Sequence, residues 1–211
     1  MPSRLVSLVA PPWCAACGAH PGEGQVLCPR CRAQLRWLGP APVVAEGVPR
    51  WAPVAYLGPG RALVGGLKYR GARAHLGAMA AQIAAGMPAS LLRRGSVLVP
   101  VPLDPARRRR RGFDQAELLA GALARRMAVP VQPCLRRCRG RGHQVGRGRA
   151  DRLEALTGSV RLARGAAAPL DVVLVDDVIT TGATLAACGA ALRAAGAERV
   201  VAVAYARTLG R

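Results

Sequence analysis

The sequence predicts an α/β protein, a parallel sheet flanked by helices, preceded by a small four-cysteine segment. From Trp51 onward, short apolar runs typical of buried strands alternate with stretches whose apolar residues recur at helical spacing. An order of strand, helix and strand is the pattern of βαβ units, which build parallel sheets covered on both faces. Before this region, four of the 7 cysteines lie within residues 1–40.

Length and composition limit the possible classes of protein. At 211 residues and 22.0 kDa, the chain is long enough for one full-sized domain and a small additional one. Apolar residues make up 51% of the chain and aromatic residues only 3%, so we expect a core of alanine, valine and leucine. No apolar run approaches the roughly 20 residues of a membrane span. The apolar stretch near the start is too short for a signal peptide, so we expect a cytoplasmic protein.

The net charge of +20 is partly a consequence of amino-acid composition, and this part has to be set aside before the charge can indicate a phosphate-bearing partner. All but one of the 31 basic residues are arginine, which together with many alanines, glycines and prolines indicates a coding bias. The distribution is nevertheless uneven, because residues 107–164 contain 16 arginines and only four acidic residues. Such a concentration of positive charge suits the phosphates of a small ligand or of a nucleic acid.

The first predicted element is a zinc-ribbon domain in residues 1–40. Its four cysteines form two Cys-x-x-Cys turns, at Cys14, Cys17, Cys28 and Cys31. Each turn presents two thiolates to one ion, and Zn²⁺ is held by four such ligands in a tetrahedron. So small a domain buries little surface, so the metal would supply its folding free energy. The alternatives are two disulfides, which the expected reducing location disfavours, and four unrelated thiols.

Residues 41–50 contain proline and glycine without periodicity and are predicted to be a linker. The domain that follows spans residues 51–211. Its predicted strands are PVAYL (53–57), SVLVPVPL (96–103), VVLV (172–175) and RVVAVAYA (199–206). Its predicted helices are RALVGGLKY (61–69), AHLGAMAAQIAAGM (74–87), FDQAELLAGALARRM (113–127) and TLAACGAALRAAG (184–196). Asp114 and Glu117 have the spacing of a capping box at the start of the third helix.

The stretch VVLVDDVITTGATL, residues 172–185, predicts a ligand site. Ligands of open parallel sheets bind beyond the carboxyl ends of the strands, and Asp176 and Asp177 follow the strand directly. The next turn leads into a helix, whose N-terminus and backbone N–H groups suit a phosphate together with the hydroxyls of Thr180, Thr181 and Thr184. The carboxylates suit the vicinal hydroxyls of a ribose, with Mg²⁺ nearby. The pattern therefore predicts a ribose 5-phosphate ligand.

Other interpretations of these motifs stay open at this point. An acidic pair after a strand also occurs in phosphate-accepting receiver domains, although near the N-terminus and without a threonine-glycine turn, and the pair could also be a structural turn. The arginines at 107–111 could be a solvated charge run, and the Arg/Gly-rich stretch after Arg136 could be a nucleic-acid-binding tail. Lys68 is the only lysine, and because lysine and arginine are not interchangeable, we expect it to contact a phosphate.

The stretch resembles the signature of type I phosphoribosyltransferases, in which an apolar strand and an acidic pair precede a threonine-glycine phosphate loop. Two further segments narrow the resemblance to the ComF-like competence protein family: VPVPLDPARRRRRGFDQAELLA (99–120) and RGHQVGRGRADRLEAL (141–156). The four-cysteine ribbon and LKYRG (67–71) add to it. The resemblance covers nearly the whole chain and implies a phosphoribosyltransferase-type sheet.

The resemblance also implies roles for individual residues. Asp176 and Asp177 would hold the ribose hydroxyls, and the 5-phosphate would lie against Thr180, Thr181, Gly182 and Thr184. Arg107 and Arg111 are candidates for binding pyrophosphate. The segment 137–152 corresponds to a mobile loop that closes over the reacting centre, where Gln144 and Arg152 match positions typical of the family. The family usually has asparagine at the positions that are Asp114 and Ala155 here.

Two functions of different classes follow from the resemblance. The first is an enzyme that transfers the ribosyl 5-phosphate group of phosphoribosyl pyrophosphate, with Mg²⁺, to an acceptor that the sequence does not identify. The second is a non-catalytic module that binds single-stranded DNA through the arginine-rich residues 107–164. The family name implies a role in DNA uptake during natural competence, with DNA-uptake proteins as partners. The sequence leaves both functions open.

Overall fold

The computed structural model describes residues 13–138 and 159–209. The strands of its main sheet are β1 (Val43–Ala45), β2 (Val48–Trp51), β3 (Val54–Ala55), β4 (Val97–Pro100), β7 (Asp171–Ile179) and β8 (Arg199–Arg207). Their order in the sheet is β1-β2-β8-β7-β4, with β3 also paired to β8. All pairs are parallel except β1–β2. A separate antiparallel pair consists of β5 (Leu135–Arg137) and β6 (Val160–Leu162).

Helices cover both faces of the sheet. They are α1 (Pro29–Ala33), α2 (Gly58–Arg70), α3 (His75–Gly86), α4 (Pro105–Arg111), α5 (Gln115–Met127) and α6 (Ala183–Ala194), with a short 3₁₀ turn at Ala89–Leu91. On one face, apolar residues of α2, α3 and α5 pack against Val173, Val175 and Val203. On the other face, α6 and the β5–β6 pair pack against Leu174 and Ala202. The alternation follows from the period of two along a strand.

The predicted fold class is confirmed by this arrangement: a mostly parallel sheet between helices, with a four-cysteine cluster near the N-terminal end. The four long predicted helices correspond to α2, α3, α5 and α6. Strand β7 is longer than the predicted VVLV, because its pairing with β8 continues from Asp171 to Ile179. The acidic pair therefore lies within the strand. None of the helices in the described ranges is both long and apolar enough to span a membrane.

The segment predicted as a linker is instead part of the sheet. Residues 43–51 form a hairpin, β1 and β2, whose second strand pairs with β8. The two turn residues both have positive φ, 54° at Glu46 and 70° at Gly47, as a type I′ hairpin turn requires. The linker prediction was wrong here because it gave two prolines and a glycine more weight than two short valine-containing runs. Only the two-residue Glu-Gly loop could have revealed the hairpin.

The cysteine-rich segment packs directly on the main core. Its buried residues Leu27, Cys31 and Leu35 belong to the same apolar cluster as Val54 of β3 and residues of α2. The backbone continues the contact, because the N–H of Ala55 donates to the carbonyl of Arg36 at 2.9 Å. A substitution in this segment is therefore expected to affect the packing of the sheet.

Candidate functional site

The candidate site lies at the carboxyl end of β7, where the chain turns into α6. Neighbouring β4 ends at the same edge of the sheet, so the loop between β4 and α4 lies beside it. The turn consists of Thr180, Thr181 and Gly182, and α6 begins at Ala183. The structure therefore brings the acidic pair and the threonine-glycine turn together at one sheet edge, as the sequence predicts.

Asp176 is the carboxylate of the pair that faces α6. It is half-buried, and its Oδ1 accepts a hydrogen bond of 2.8 Å from the backbone N–H of Asp177. Burial, and then the negative charge of Asp177, raise the pKa of Asp176 well above its ordinary value. Its charge in turn contributes to the raised pKa of the buried thiol of Cys188 in α6, after burial itself. Because the charged form of Asp176 is unfavourable in this environment, a ligand that supplies hydroxyl donors or a cation would stabilise it.

Asp177 faces the opposite side of the sheet and is already paired. Its carboxylate is almost fully buried, and its Oδ2 lies 2.8 Å from Nζ of Lys68 in α2. The contact is an ion pair whose angles fall outside those of a directional hydrogen bond. Lys68, predicted from the sequence to contact a phosphate, therefore contacts the acidic pair. Of the two aspartates predicted to hold ribose hydroxyls, Asp176 is the one without a cationic partner in the described ranges.

The turn before α6 has the features of an anion site. Thr180 and Thr181 are exposed, whereas Gly182 is buried with a φ of 88°, in the region that favours glycine. Within the described residues, no side chain caps α6 at Gly182. The Oγ1 of Thr181 accepts a long hydrogen bond of 3.4 Å from the N–H of Ala183. Apart from this long bond, the first N–H groups of α6 are not capped by the residue at Gly182, and such groups at a helix N-terminus bind anions.

Two arginines that the sequence analysis did not select flank this turn. Arg137, at the end of β5, donates to Oγ1 of Thr184 at 3.1 Å. Arg50, on β2, is 8% exposed, and a Cβ added at Gly182 would overlap its guanidinium. Arg50 lies in the predicted linker, and Arg137 is one of two adjacent arginines at the start of the predicted mobile loop, so the sequence did not distinguish either from the many other arginines. Strand pairing brings Arg50 to the turn.

The predicted pyrophosphate arginines lie on α4, a seven-residue helix with no buried residue. Asp104 caps α4 by accepting from the N–H groups of Ala106 and Arg107, and these hydrogen bonds lower the pKa of its carboxyl. The side chain of Arg107 is exposed. Arg111 is half-buried, stacks over Tyr69 at 5.5 Å from the ring centroid, and donates to Gln115. The structure thus separates Arg107, which faces solvent, from Arg111, which is held against α2 and α5.

The loop before α4 is fixed by Asp114, which stands where the family usually has asparagine. The carboxylate is buried, and burial raises its pKa. Its Oδ1 accepts from Ala116 and Glu117 at the start of α5, and its Oδ2 accepts from Leu103 at 2.9 Å. Glu117 does not complete the predicted capping box, because it forms a two-point ion pair with Arg108 instead. Asp114 therefore joins α5 to the edge of the site.

The four N-terminal cysteines form one cluster. The sulfur atoms of Cys14, Cys17, Cys28 and Cys31 all lie within 4.8 Å of one another. The sulfurs of Cys17 and Cys28 are 3.7 Å apart, too far for a disulfide and close to the roughly 3.8 Å edge of a zinc–thiolate tetrahedron with 2.3 Å bonds. All four cysteines are free. The cluster can hold one tetrahedral metal ion.

The thiols of this cluster influence one another strongly. Burial alone would raise the pKa of Cys14, but hydrogen bonds, the first from the N–H of Cys28, bring it down to about 6. Burial and the neighbouring thiols raise the pKa of Cys31 to about 12. The thiol of Cys14 thus ionises readily, whereas that of Cys31 does not, because several thiolates in one buried cluster repel each other. A bound cation would remove that repulsion.

Some predicted site residues lie outside the described residues. These are Gln144 and Arg152, together with most of the predicted mobile loop 137–152. Ala155 and the beginning of the predicted zinc-ribbon domain are also outside. For them the sequence-based expectations stay predictions.

Comparison with known proteins agrees with the motifs. Residues 114–209 match the phosphoribosyl transferase domain family. Competence protein F of Haemophilus influenzae is 36% identical over 112 residues, which are 52% of this chain and 49% of that protein. The chain thus matches about half the length of this curated relative. Together with the cysteine cluster, these matches confirm the resemblance inferred from the sequence.

Solved structures similar to the chain include two phosphoribosyl-linked enzymes. Adenine phosphoribosyltransferase from Leishmania tarentolae is 16% identical, with a TM-score of 0.41, over 87% of this chain and 74% of that one. Glutamine phosphoribosylpyrophosphate amidotransferase from B. subtilis is 26% identical, with a TM-score of 0.38, over 61% of this chain and 25% of that one.

Proposed function

We propose that the protein binds phosphoribosyl pyrophosphate at the turn between β7 and α6 and transfers its ribosyl 5-phosphate group. One observation carries the proposal: Asp176 lies near the end of β7, and the turn that follows leads into a helix N-terminus headed by Gly182, which has no side chain to cap it. A carboxylate that can accept hydrogen bonds from hydroxyl groups is thus followed by a turn that can bind a phosphate. A ribose 5-phosphate carries both kinds of group. The match of residues 114–209 to the phosphoribosyl transferase domain family supports the same ligand.

Each side chain has a part in this proposal. The N–H groups at the start of α6 and the hydroxyls of Thr180 and Thr181 would bind the 5-phosphate. Asp176 would accept hydrogen bonds from the ribose hydroxyls, while Lys68 neutralises Asp177 behind it. Asp176 also offers the oxygen ligand that Mg²⁺ prefers, and that ion supplies countercharge for pyrophosphate. As the C1–oxygen bond breaks, its electron pair leaves with pyrophosphate, and a nucleophile from the acceptor bonds to C1.

Pyrophosphate release tests the transfer reaction. The full chain is incubated with phosphoribosyl pyrophosphate and Mg²⁺, alone and with a panel of nucleophilic acceptors, and pyrophosphate is measured. We expect release that depends on an acceptor and that falls strongly in Asp176→Asn. Calorimetry with the same ligand separates binding from transfer. Binding without release would leave a sensor of phosphoribosyl pyrophosphate, and absence of both would refute the proposal.

We also propose that the four-cysteine cluster holds one structural Zn²⁺ ion. The cluster offers four thiols, and the spacing of their sulfur atoms suits a tetrahedron. Four protein ligands complete the coordination of Zn²⁺, which is typical of a structural site. The domain division that the sequence predicts, with a zinc ribbon before a phosphoribosyltransferase-like domain, is part of this proposal. Metal analysis of the purified chain should find about one zinc per molecule, a ratio that follows from four ligands to one ion.

A second candidate function is binding of single-stranded DNA, and the surface of α4 favours it. Arg107, Arg109 and Arg110 are exposed on a helix that buries none of its residues. The similar protein of Haemophilus influenzae is named a competence protein, and we propose that such binding would serve DNA uptake together with DNA-uptake proteins. Titration of single-stranded DNA at several salt concentrations tests this function separately from the ligand site.

A further inference from the structure

We propose that Arg50 is the buried countercharge of the β7–α6 turn, attracting the 5-phosphate of the ligand, and that Glu46 restrains it when the turn is empty. This inference rests on the proposed function, because it identifies a charge that serves the phosphate end of the same site. The inference rests on the position of the Arg50 guanidinium beside Gly182.

The first observation is the burial of Arg50 without an adequate partner. The residue is 8% exposed, and across residues 13–138 and 159–209 its Nη1 has no hydrogen-bond partner. The nearest carboxylate oxygen is Oε2 of Glu46, at 3.9 Å, beyond hydrogen-bond distance. Guanidinium groups form short, charge-assisted hydrogen bonds to carboxylates and phosphates when these are within reach. Arg50 thus keeps binding capacity that Glu46 does not use.

The second observation is where this guanidinium lies. It occupies the space beside Gly182 that the Cβ of any other residue would fill, and its Nη2 is 3.0 Å from that Cβ position. Gly182 is the residue before the first turn of α6, the positive end of a 12-residue helix. A buried cation and a helix N-terminus repel each other. Their meeting at one turn is favourable only when an anion lies between or beside them.

The sequence of α6 places no anion there. Its first turn begins Ala183, Thr184, Leu185, without an acidic residue, and Gly182 has no side chain to act as a cap. Arg137 adds a further positive group by donating to Thr184. The missing anion must therefore come from a ligand, and a phosphate monoester offers the two negative charges and the acceptor oxygens that this arrangement lacks.

Glu46 gives the arrangement a second state. Its side chain is 32% exposed and belongs to the hairpin turn, so it can move away without disturbing the sheet. In the empty protein it is the anion nearest to Arg50. A bound phosphate would replace it as partner, so Glu46 competes with the ligand.

Calorimetric titration of ribose 5-phosphate into the full chain tests the inference. Arg50→Gln should weaken binding by about ten- to a hundredfold, the usual effect of losing a charge-assisted hydrogen bond. Glu46→Gln should strengthen it by about two- to fivefold, because an exposed, weak competitor is removed. Arg126→Gln is the control, since it removes the same charge from an exposed position in the last turn of α5, away from both the hairpin and the β7–α6 turn.

The outcomes separate this inference from the proposed function. If the unaltered chain binds neither ribose 5-phosphate nor phosphoribosyl pyrophosphate, the proposed function fails and the inference fails with it. If it binds only phosphoribosyl pyrophosphate, the same variants are compared with that ligand. If it binds, and folded Arg50→Gln binds equally well, the inference alone is overturned. If Arg50→Gln does not fold, Glu46→Gln decides, because it keeps Arg50 in place. Unchanged or weaker binding in that variant would also overturn the inference.

Discussion

At the scale of single residues, the site is set by how charges are distributed over the two faces of β7. Asp177 is balanced by Lys68, whereas Asp176 faces α6 with a raised pKa. One member of the acidic pair is thus structural in the empty protein, and the other carries unfavourable free energy that a ligand can relieve. This asymmetry is invisible in the sequence, where the two residues are adjacent and identical.

Replacing Lys68 should destabilise the fold. Lys68→Met leaves the carboxylate of Asp177 buried and unpaired, and breaking a buried pair in this way costs about 3 kcal/mol. Chemical denaturation measures the loss. Adding Asp177→Asn should restore most of the stability, because the unpaired charge is removed as well. Equal stability of Lys68→Met and the unaltered chain would show that the pair contributes nothing.

Asp176 should make the protein less stable as the pH rises. Its folded-state pKa lies above the ordinary 3.8, so the folded chain binds more protons than the unfolded chain between the two values. Its contribution to the free energy of unfolding therefore declines from about pH 4 upward. Asp176→Asn should remove this decline, giving a higher melting temperature than the unaltered chain at pH 7 and a similar one at pH 4. A lower melting temperature at pH 7 would contradict this assignment.

At the scale of elements, short segments decide the shape of the site. The cap residue Asp114 ties the start of α5 to the loop after β4 with hydrogen bonds from three N–H groups. The site depends on this loop, on the turn before α6, and on a β1–β2 hairpin that delivers Arg50. Long, strongly periodic helices matter less for its chemistry.

Asp114 and Asp104 make a matched pair of caps for a stability test. Asp114→Ala removes the cap of α5 and leaves the N–H of Leu103 without its acceptor, for a total loss of roughly 2–4 kcal/mol. Asp104→Ala removes only the cap of the exposed helix α4, with a loss of about 1 kcal/mol. Urea denaturation of both variants measures the difference. Equal losses would mean that Asp114 acts as an ordinary cap.

The difference between long periodic elements and short segments also explains which features the sequence could predict. The four long helices, the parallel sheet, the cysteine cluster and the acidic pair all have local signals: periodicity, spacing or an apolar run. Arg50 has none, because its position beside Gly182 arises from strands that are distant in sequence, and Arg137 is indicated only as the first residue of the predicted mobile loop. The β1–β2 hairpin was hidden by Pro49, and the ion pair of Lys68 by a contact between a helix and a strand.

At the scale of the whole molecule, the cysteine segment and the sheet share one core. A single apolar cluster includes Cys14, Cys28 and Cys31 as well as residues of α2, α3 and α5. Metal binding in the segment should therefore stabilise the entire chain and not only its first part. The net charge of +20 is likewise a property of the whole, spread over several exposed arginine-bearing surfaces.

Zinc loss should lower the stability of the whole protein. Cys17→Ser changes the exposed ligand of the cluster, so it removes a thiolate without burying a new polar group. We expect loss of bound zinc and a clearly lower melting temperature, because structural zinc contributes on the order of 10 kcal/mol to folding. Cys138→Ser, outside the cluster, is the control. Full zinc content in Cys17→Ser would refute the four-ligand site.

Binding of single-stranded DNA should depend on α4 and not on the ligand turn. The logarithm of affinity for single-stranded DNA should fall with the logarithm of salt concentration by about 0.7 for each phosphate contacted. Replacing exposed Arg109 and Arg110 by glutamine should flatten that slope, whereas Arg108 is already paired with Glu117. Asp176→Asn should leave the slope unchanged. A slope unaffected by the arginine changes would exclude α4 as the DNA-binding surface.

The central claim is that a ribose 5-phosphate group binds at the turn between β7 and α6. Amide chemical shifts of the isotopically labelled full chain, recorded while ribose 5-phosphate is added, test it most directly. The account predicts saturable shifts centred on Thr180, Thr181, Gly182 and Ala183, with smaller changes at Asp176. Shifts confined to the arginines of α4, or no shifts at ligand concentrations that saturate known phosphate-binding turns, would contradict it.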